Sequence, residues 1–165
     1  MRMRFGRSAD LYNSNSLAWV CVLAPGGVDD QAWAVRLAKK RVGTDPRGAG
    51  WTDAHLNTLG AALYRAGRFD DAVARLKDAI KAGRGEGLPQ DWLFLAMAYA
   101  RKGRDKQARK CLQRAIRNIE RSGRGKAPGG LPPWTTRAEN QILRLEAEAV
   151  VNGTSRKGAP ATGRG

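Results

Sequence analysis

Apolar residues between Asp105 and Ser122 fall on one helical stripe: Ala108, Cys111, Leu112, Ala115, Ile116 and Ile119. Lys106, Arg109, Lys110, Arg114 and Arg117 take the remaining surface. Spacing by threes and fours predicts an amphipathic helix with one buried face. The pattern has an earlier copy. Leu59–Arg68 (Leu-Gly-Ala-Ala-Leu-Tyr-Arg-Ala-Gly-Arg) lies over Leu95–Arg104 (Leu-Ala-Met-Ala-Tyr-Ala-Arg-Lys-Gly-Arg) at an offset of 36. The same offset carries Ala72 onto Ala108, Leu76 onto Leu112, Ala79 onto Ala115 and Ile80 onto Ile116. Each unit thus predicts two amphipathic helices joined at a glycine. Gly67 and Gly103 close the first helix of each pair, where a left-handed residue lets the chain reverse. Ala72 and Ala108 stay small where the paired helices approach, and Leu76 and Leu112 fill the space between units.

A looser unit precedes these. Asn15-Ser16-Leu17-Ala18 echoes Asn57-Thr58-Leu59-Gly60, and Ala34, Ala38 and Pro46 fit the second half of the unit. The offset is 42 at the leucine and 38 at Ala34, so four extra residues lie around Pro25-Gly26-Gly27-Val28. Arg41 stands where a small residue is expected. Downstream, a Gly/Pro-rich linker runs from Ala127 to Pro133. A further helix is expected from Thr136, which with Glu139 forms a capping box. Its expected buried face is Ile142, Leu145, Ala149 and nearby apolar residues, with Trp134 pinning it and Gly153 stopping it. Such a helix would close a stacked array and cover its last apolar face. One domain then spans residues 11–151, between an N-terminus of residues 1–10 and a basic tail of residues 152–165, both of disordered composition.

These residues resemble the tetratricopeptide repeat, whose pattern is W-x2-L-G-x2-Y, then A-x3-F, then P. The middle unit supplies Leu56, Leu59, Gly60, Leu63, Gly67, Phe69, Ala72, Leu76 and Ala79, and the last supplies Trp92, Leu95, Ala96, Tyr99, Gly103, Ala108, Leu112 and Ala115. Both lack the closing proline; Gly83-Arg84-Gly85-Glu86-Gly87 stands there in the middle unit. The resemblance implies an all-α fold: a right-handed α-α superhelix of three helix pairs with a C-terminal capping helix. A wider arrangement is similar to repeat regions C-terminal to bacterial serine/threonine protein kinases. It consists of Asn-Ser-Leu-Ala-Trp, the Leu56–Phe69 stretch, Gln-Asp-Trp-Leu-Phe-Leu-Ala-Met-Ala and a late Leu-Glu-Ala-Glu-Ala, over residues 11–151. A kinase domain itself is absent: the chain has no Gly-rich nucleotide loop, His-Arg-Asp or Asp-Phe-Gly.

Composition then narrows the function. Cys21, Cys111 and His55 are the only cysteines and histidine, which argues against a zinc site, a disulfide framework or a histidine relay. Both cysteines lie on apolar helix faces and read as buried thiols, and His55 reads as the exposed start of a helix. The apolar run Leu17–Ala24 is far shorter than the ~20 residues of a membrane span. Asn13-Ser14-Asn15-Ser16 separates it from the basic start, so a cytoplasmic protein without a membrane association is expected. Gly125-Lys126 in the Gly-rich stretch has Ala127 where a phosphate loop needs Ser or Thr, and a helix precedes it where a strand is required. No enzyme, cofactor or metal is expected.

Charge is the outlier. The net charge is +15, and residues 101–126 hold +9 of it. That bias suits an acidic protein partner or nucleic acid. Nucleic acid ranks second, because the basic side chains fall on an outer helix with no aromatic residues interleaved for stacking.

Repeat arrays bind on an extended concave surface, and by resemblance the first helix of each pair lines it. The partner-binding residues expected there are Tyr12, Asn15, Trp19, Asn57, Tyr64, Arg65, Met97 and Arg101, with Ala61 and Leu93 between them. Asn15 and Asn57 are equivalent, and a primary amide both donates to and accepts from peptide backbone. Arg65 and Arg101 are equivalent too, offering two guanidinium forks to a carboxylate. The Lys, Asn and Arg set that the family uses to clamp a terminal carboxylate is not visible, which argues against chaperone C-terminal tails. The expected function is non-catalytic protein or peptide binding as an adaptor or scaffold, in a kinase-linked setting by resemblance alone.

Overall fold

The computed structural model describes residues 9–40, 53–124 and 133–157, and every regular element among them is an α-helix. In chain order these are α1 (Ala9–Val22), α2 (Gln31–Lys40), α3 (Asp53–Arg65), α4 (Phe69–Ala82), α5 (Pro89–Arg101), α6 (Asp105–Gly123) and α7 (Trp134–Lys157). The neighbour pattern repeats. Helix α3 lies on α1 and α2, α5 lies on α3 and α4, and α7 lies on α5 and α6. Each odd-numbered helix thus stacks on the pair before it, which is the α-α superhelix expected from the repeat.

The 36-residue period extends to individual backbone bonds. Arg68 donates to the Leu63 carbonyl at 2.9 Å, and Arg104 donates to Tyr99 at 2.9 Å. Gly67 and Gly103 sit at the same step with φ of 73° and 68°. Ala72, Ala79, Ala108 and Ala115 are fully buried in the pairing helices, as their small size requires. Gly60 has a comparable reason: a Cβ there would stand 2.6 Å from Leu76 Cγ, so α3 and α4 can touch only with hydrogen at that point. In the first unit Ala18, Ala34 and Ala38 are fully buried, and the extra residues form the loop from Leu23 to Asp30.

Helix α5 is the centre of the molecule. All eight residues from Leu93 to Ala100 are buried, so it is covered on every side, as a helix apolar all round must be. Phe94 joins three units there. Its ring meets Trp19 edge-on at 6.2 Å and Tyr64 at 5.7 Å between centroids.

Helix α7 departs from expectation in three ways. It begins at Trp134 rather than Thr136, and the Pro133 carbonyl accepts the Arg137 N–H at 3.1 Å. It continues through Gly153 to Lys157, beyond the expected boundary at residue 151. Its buried face is Asn140, Leu143, Ala147 and Val151, whereas Ile142, Leu145, Ala149 and Trp134 are exposed. Both faces are apolar, so periodicity alone could not choose between them. Trp134 is 72% exposed, so it does not pin the helix to the described residues. Cys111 is buried as expected, whereas Cys21 is only half-buried, as is His55 in the first turn of α3. Arg41, Pro46, the linker from Ala127 through residue 132, residues 1–8 and the end of the tail from residue 158 lie outside the described residues.

Candidate functional site

Among the residues expected to line the concave face, burial separates two groups. Asn57 is 4% exposed, and its Nδ2 donates to Asp91 Oδ1 at 2.6 Å, so its amide is spent inside the fold. Asp91 Oδ2 accepts the Leu88 N–H at 2.7 Å, closing the start of α5. Removal from water pushes the Asp91 carboxyl up to about 6, although the Asn57 and Leu88 hydrogen bonds pull the other way. Met97 and Leu93 are fully buried in α5, and Ala61 in α3. Trp19 is half-buried against Phe94, and Asn15 is half-buried with its Oδ1 unpartnered. The side chain of Tyr12 lies outside the described residues, although its backbone belongs to α1. Asn57, Met97, Leu93 and Ala61 are therefore removed from any open groove, because α5 is enclosed and α3 turns that face towards it.

Arg65 is also committed internally. Its Nε donates to the Val22 carbonyl at 2.8 Å, and Nη2 reaches the Leu23 carbonyl at 3.4 Å and Glu146 Oε2 at 2.7 Å. Nη1 pairs with Glu146 Oε1, and the Arg65 side chain is 5% exposed. The guanidinium carbon stands 5.3 Å from the Phe94 ring centre and 5.5 Å from that of Tyr64. The last carbonyls of α1 carry the negative end of a helix dipole, so carbonyls, carboxylate and rings all favour this cation. The expectation that Arg65 meets a ligand is weakened accordingly: four of its five N–H donors are already taken.

Arg101, at the equivalent repeat position, is in the opposite state. It is exposed and forms no ion pair among the described residues. It lies beside the Tyr64 hydroxyl, whose ionisation burial pushes up while Arg101 opposes the shift. Tyr64, Arg65, Arg101, Gln31, Phe69 and Glu146 share one open cavity of about 390 Å³, floored by the buried Arg65–Glu146 pair. The Gln31 Nε2 donates to the Val28 carbonyl at 2.6 Å, and its Oε1 is buried without a partner. A ligand entering here meets the exposed cation of Arg101 beside the largely buried Tyr64, while the Gln31 oxygen is closed off from it.

Three of the expected residues thus come together, with Arg101 open to a ligand. Sequence reasoning missed Gln31 and Glu146. Glu146 belongs to the Leu-Glu-Ala-Glu-Ala run already noted; Gln31, in the divergent first unit, had no repeat partner to mark it.

The basic surface of α6 is elsewhere. Lys106, Arg109, Lys110 and Arg117 are exposed along it, while Arg114 and Arg121 reach Glu86 Oε2 at 3.3 and 3.5 Å. Trp92, half-buried, is held by Arg114 at 5.9 Å and by its indole donating to the Glu86 carbonyl at 2.9 Å. Its bonded edge makes it a poor stacking platform. No helix among the described residues is long and apolar enough to cross a membrane.

Residues 54–84 match the tetratricopeptide repeat family. The chain is 28% identical over 98 residues to Heat shock protein STI1 of Saccharomyces cerevisiae; the alignment takes in 59% of this chain and 16% of that protein. No solved structure matches it. The family match covers α3 and α4, the pair whose glycine turn and small-residue contacts are most regular. With the stacked helical array, these similarities support a protein-interaction module built on tetratricopeptide units.

Proposed function

We propose that the chain is a non-catalytic adaptor or scaffold that binds an acidic peptide segment of a protein partner, in the cytoplasm. The observation that carries the reading is the contrast between two equivalent arginines. Arg65 is neutralised by Glu146 inside the fold, while Arg101 stands open over the same cavity with no ion pair among the described residues. An Asp or Glu side chain of the peptide would give Arg101 its counter-charge. Repeat arrays bind extended segments on such surfaces. A kinase or another signalling protein is the partner class that the sequence resemblance suggests.

The test is a screen of acidic peptides by fluorescence anisotropy, followed by affinity measurement with wild type and Arg101→Ala. A charge-assisted hydrogen bond contributes about 1.5–3 kcal/mol, so binding should weaken roughly 10- to 100-fold. Arg117→Ala on α6 should leave it unchanged. Equal affinity of wild type and Arg101→Ala removes the cavity from the interaction. Binding of oligonucleotides at low salt, lost in Arg117→Ala, would reassign the surface to nucleic acid.

A further inference from the structure

Helix α7 stacks on the array through Asn140, Leu143, Ala147 and Val151, and its opposite face points away from it. Thr135, Ala138, Ile142, Leu145, Ala149 and Asn152 are all exposed there, Ile142 at 48% and Leu145 at 58%. Alternating steps of three and four residues make them one continuous seam, the spacing with which two helices pack side by side. A helix face without a packed neighbour is ordinarily polar. This one carries its largest aliphatic side chains in the middle of the seam.

The order of the seam identifies what covers it. From either end it runs polar, alanine, large aliphatic, large aliphatic, alanine, polar. A two-fold axis between Leu143 and Arg144 therefore lays the seam on an antiparallel copy of itself. Ile142 then meets Leu145 of a second chain, Ala138 meets Ala149, and Thr135 meets Asn152. The seam spans about 26 Å at ~1.5 Å per residue. Charge permits the approach. Residues 134–153 carry Arg137 and Arg144 against Glu139, Glu146 and Glu148, a net −1 in a chain of +15. Two copies meeting through α6 would bring together faces of +4 each over Asp105–Gly123.

We propose that α7 is the two-fold interface of a homodimer, closed by this antiparallel seam. An isologous contact of this kind stops at two chains. Stacking of α7 on the other apolar end of the array, where Leu17 and Val20 of α1 are 47% and 63% exposed, would instead be open-ended.

Light scattering on the full chain after size-exclusion chromatography, from about 5 to about 300 µM, tests this, since a single-helix seam lies at the small end of stable interfaces. The mass should rise to twice 17.9 kDa and stop there. Leu145→Glu and, separately, Ile142→Lys should hold it at one chain with unchanged helicity by circular dichroism. A wild-type mass of one chain at the highest concentration overturns the proposal. So does growth beyond two chains, which would point to head-to-tail stacking. Register is tested independently of the charged variants. Ala138→Cys with Ala149→Cys should give a covalent dimer on oxidation, above the baseline that the wild-type chain shows with Cys21 and Cys111. Neither single variant should do so. The two positions are too far apart on one helix to bridge within a chain. Cross-linking by Ala138→Cys alone would mean a parallel seam and overturn the assignment.

Discussion

At the residue scale, Asp91 is a side chain whose chemistry folding alters strongly. It is fully buried, accepts from Asn57 across to α3 and from Leu88 at the head of its own helix, and carries a carboxyl pushed up to about 6. Its folded pKa exceeds the unfolded one, so the folded state holds the proton more tightly. Its contribution to stability is therefore fully present below the ordinary value of 3.8 and is lost as pH rises through about 6. With ~1.4 kcal/mol per pH unit of separation, the loss is on the order of 3 kcal/mol. Urea unfolding at pH 5 and pH 7.5 checks this against Asp91→Asn, which cannot ionise. Relative to that variant, wild type should be more stable at pH 5 than at pH 7.5. An identical difference at the two pH values would show that the carboxyl stays charged throughout.

At the element scale, α7 shows what periodicity can and cannot decide. For α3 to α6 the buried faces follow from the sequence, because the glycine turns and small residues recur in register and charged residues fill the other side. In α7 the choice lay between Ile142, Leu145 and Ala149 on one stripe and Leu143, Ala147 and Val151 on another. Both stripes are apolar, and only the docking onto α5 and α6 separates them. Leu143→Ala should therefore cost about 2–5 kcal/mol by opening a cavity. Leu145→Ala should change the stability of the single chain by no more than about 0.5 kcal/mol. Chemical denaturation at low protein concentration compares the two; equal losses would mean that the helix has been assigned the wrong face.

At the scale of the whole molecule, the informative pair is Arg65 with Glu146. In an ordinary stacked array each unit touches only its neighbours. Here a guanidinium in the second unit binds carbonyls at the end of α1 and a carboxylate on α7, 81 residues away in sequence. Nothing local announces this. Arg65 and Arg101 occupy the same repeat position between similar neighbours, and distant partners alone make one a structural ion and the other an open cation. That is why the cavity was only half legible: its residue types recur in the repeat, but their roles depend on the curvature of the array. Arg65→Ala leaves Glu146 largely buried and unpaired, so it should cost about 3–5 kcal/mol. Arg101→Ala should fall within about 0.5 kcal/mol of wild type. Adding Glu146→Ala to Arg65→Ala should recover part of the loss, the coupling that a double-mutant cycle isolates. A double variant no more stable than additivity predicts would mean that the two groups act separately.

A string of stacked helix pairs behaves as a spring, lengthening and coiling at little cost as its units rock against one another. The Arg65 side chain is a strut across that spring. It ties the tip of the first coil to the last, so opening the array means pulling a buried cation from its counter-ion. If the cavity beside Arg101 takes a peptide as proposed, it is held in shape beforehand, and the peptide would give up its own freedom without also having to freeze the protein.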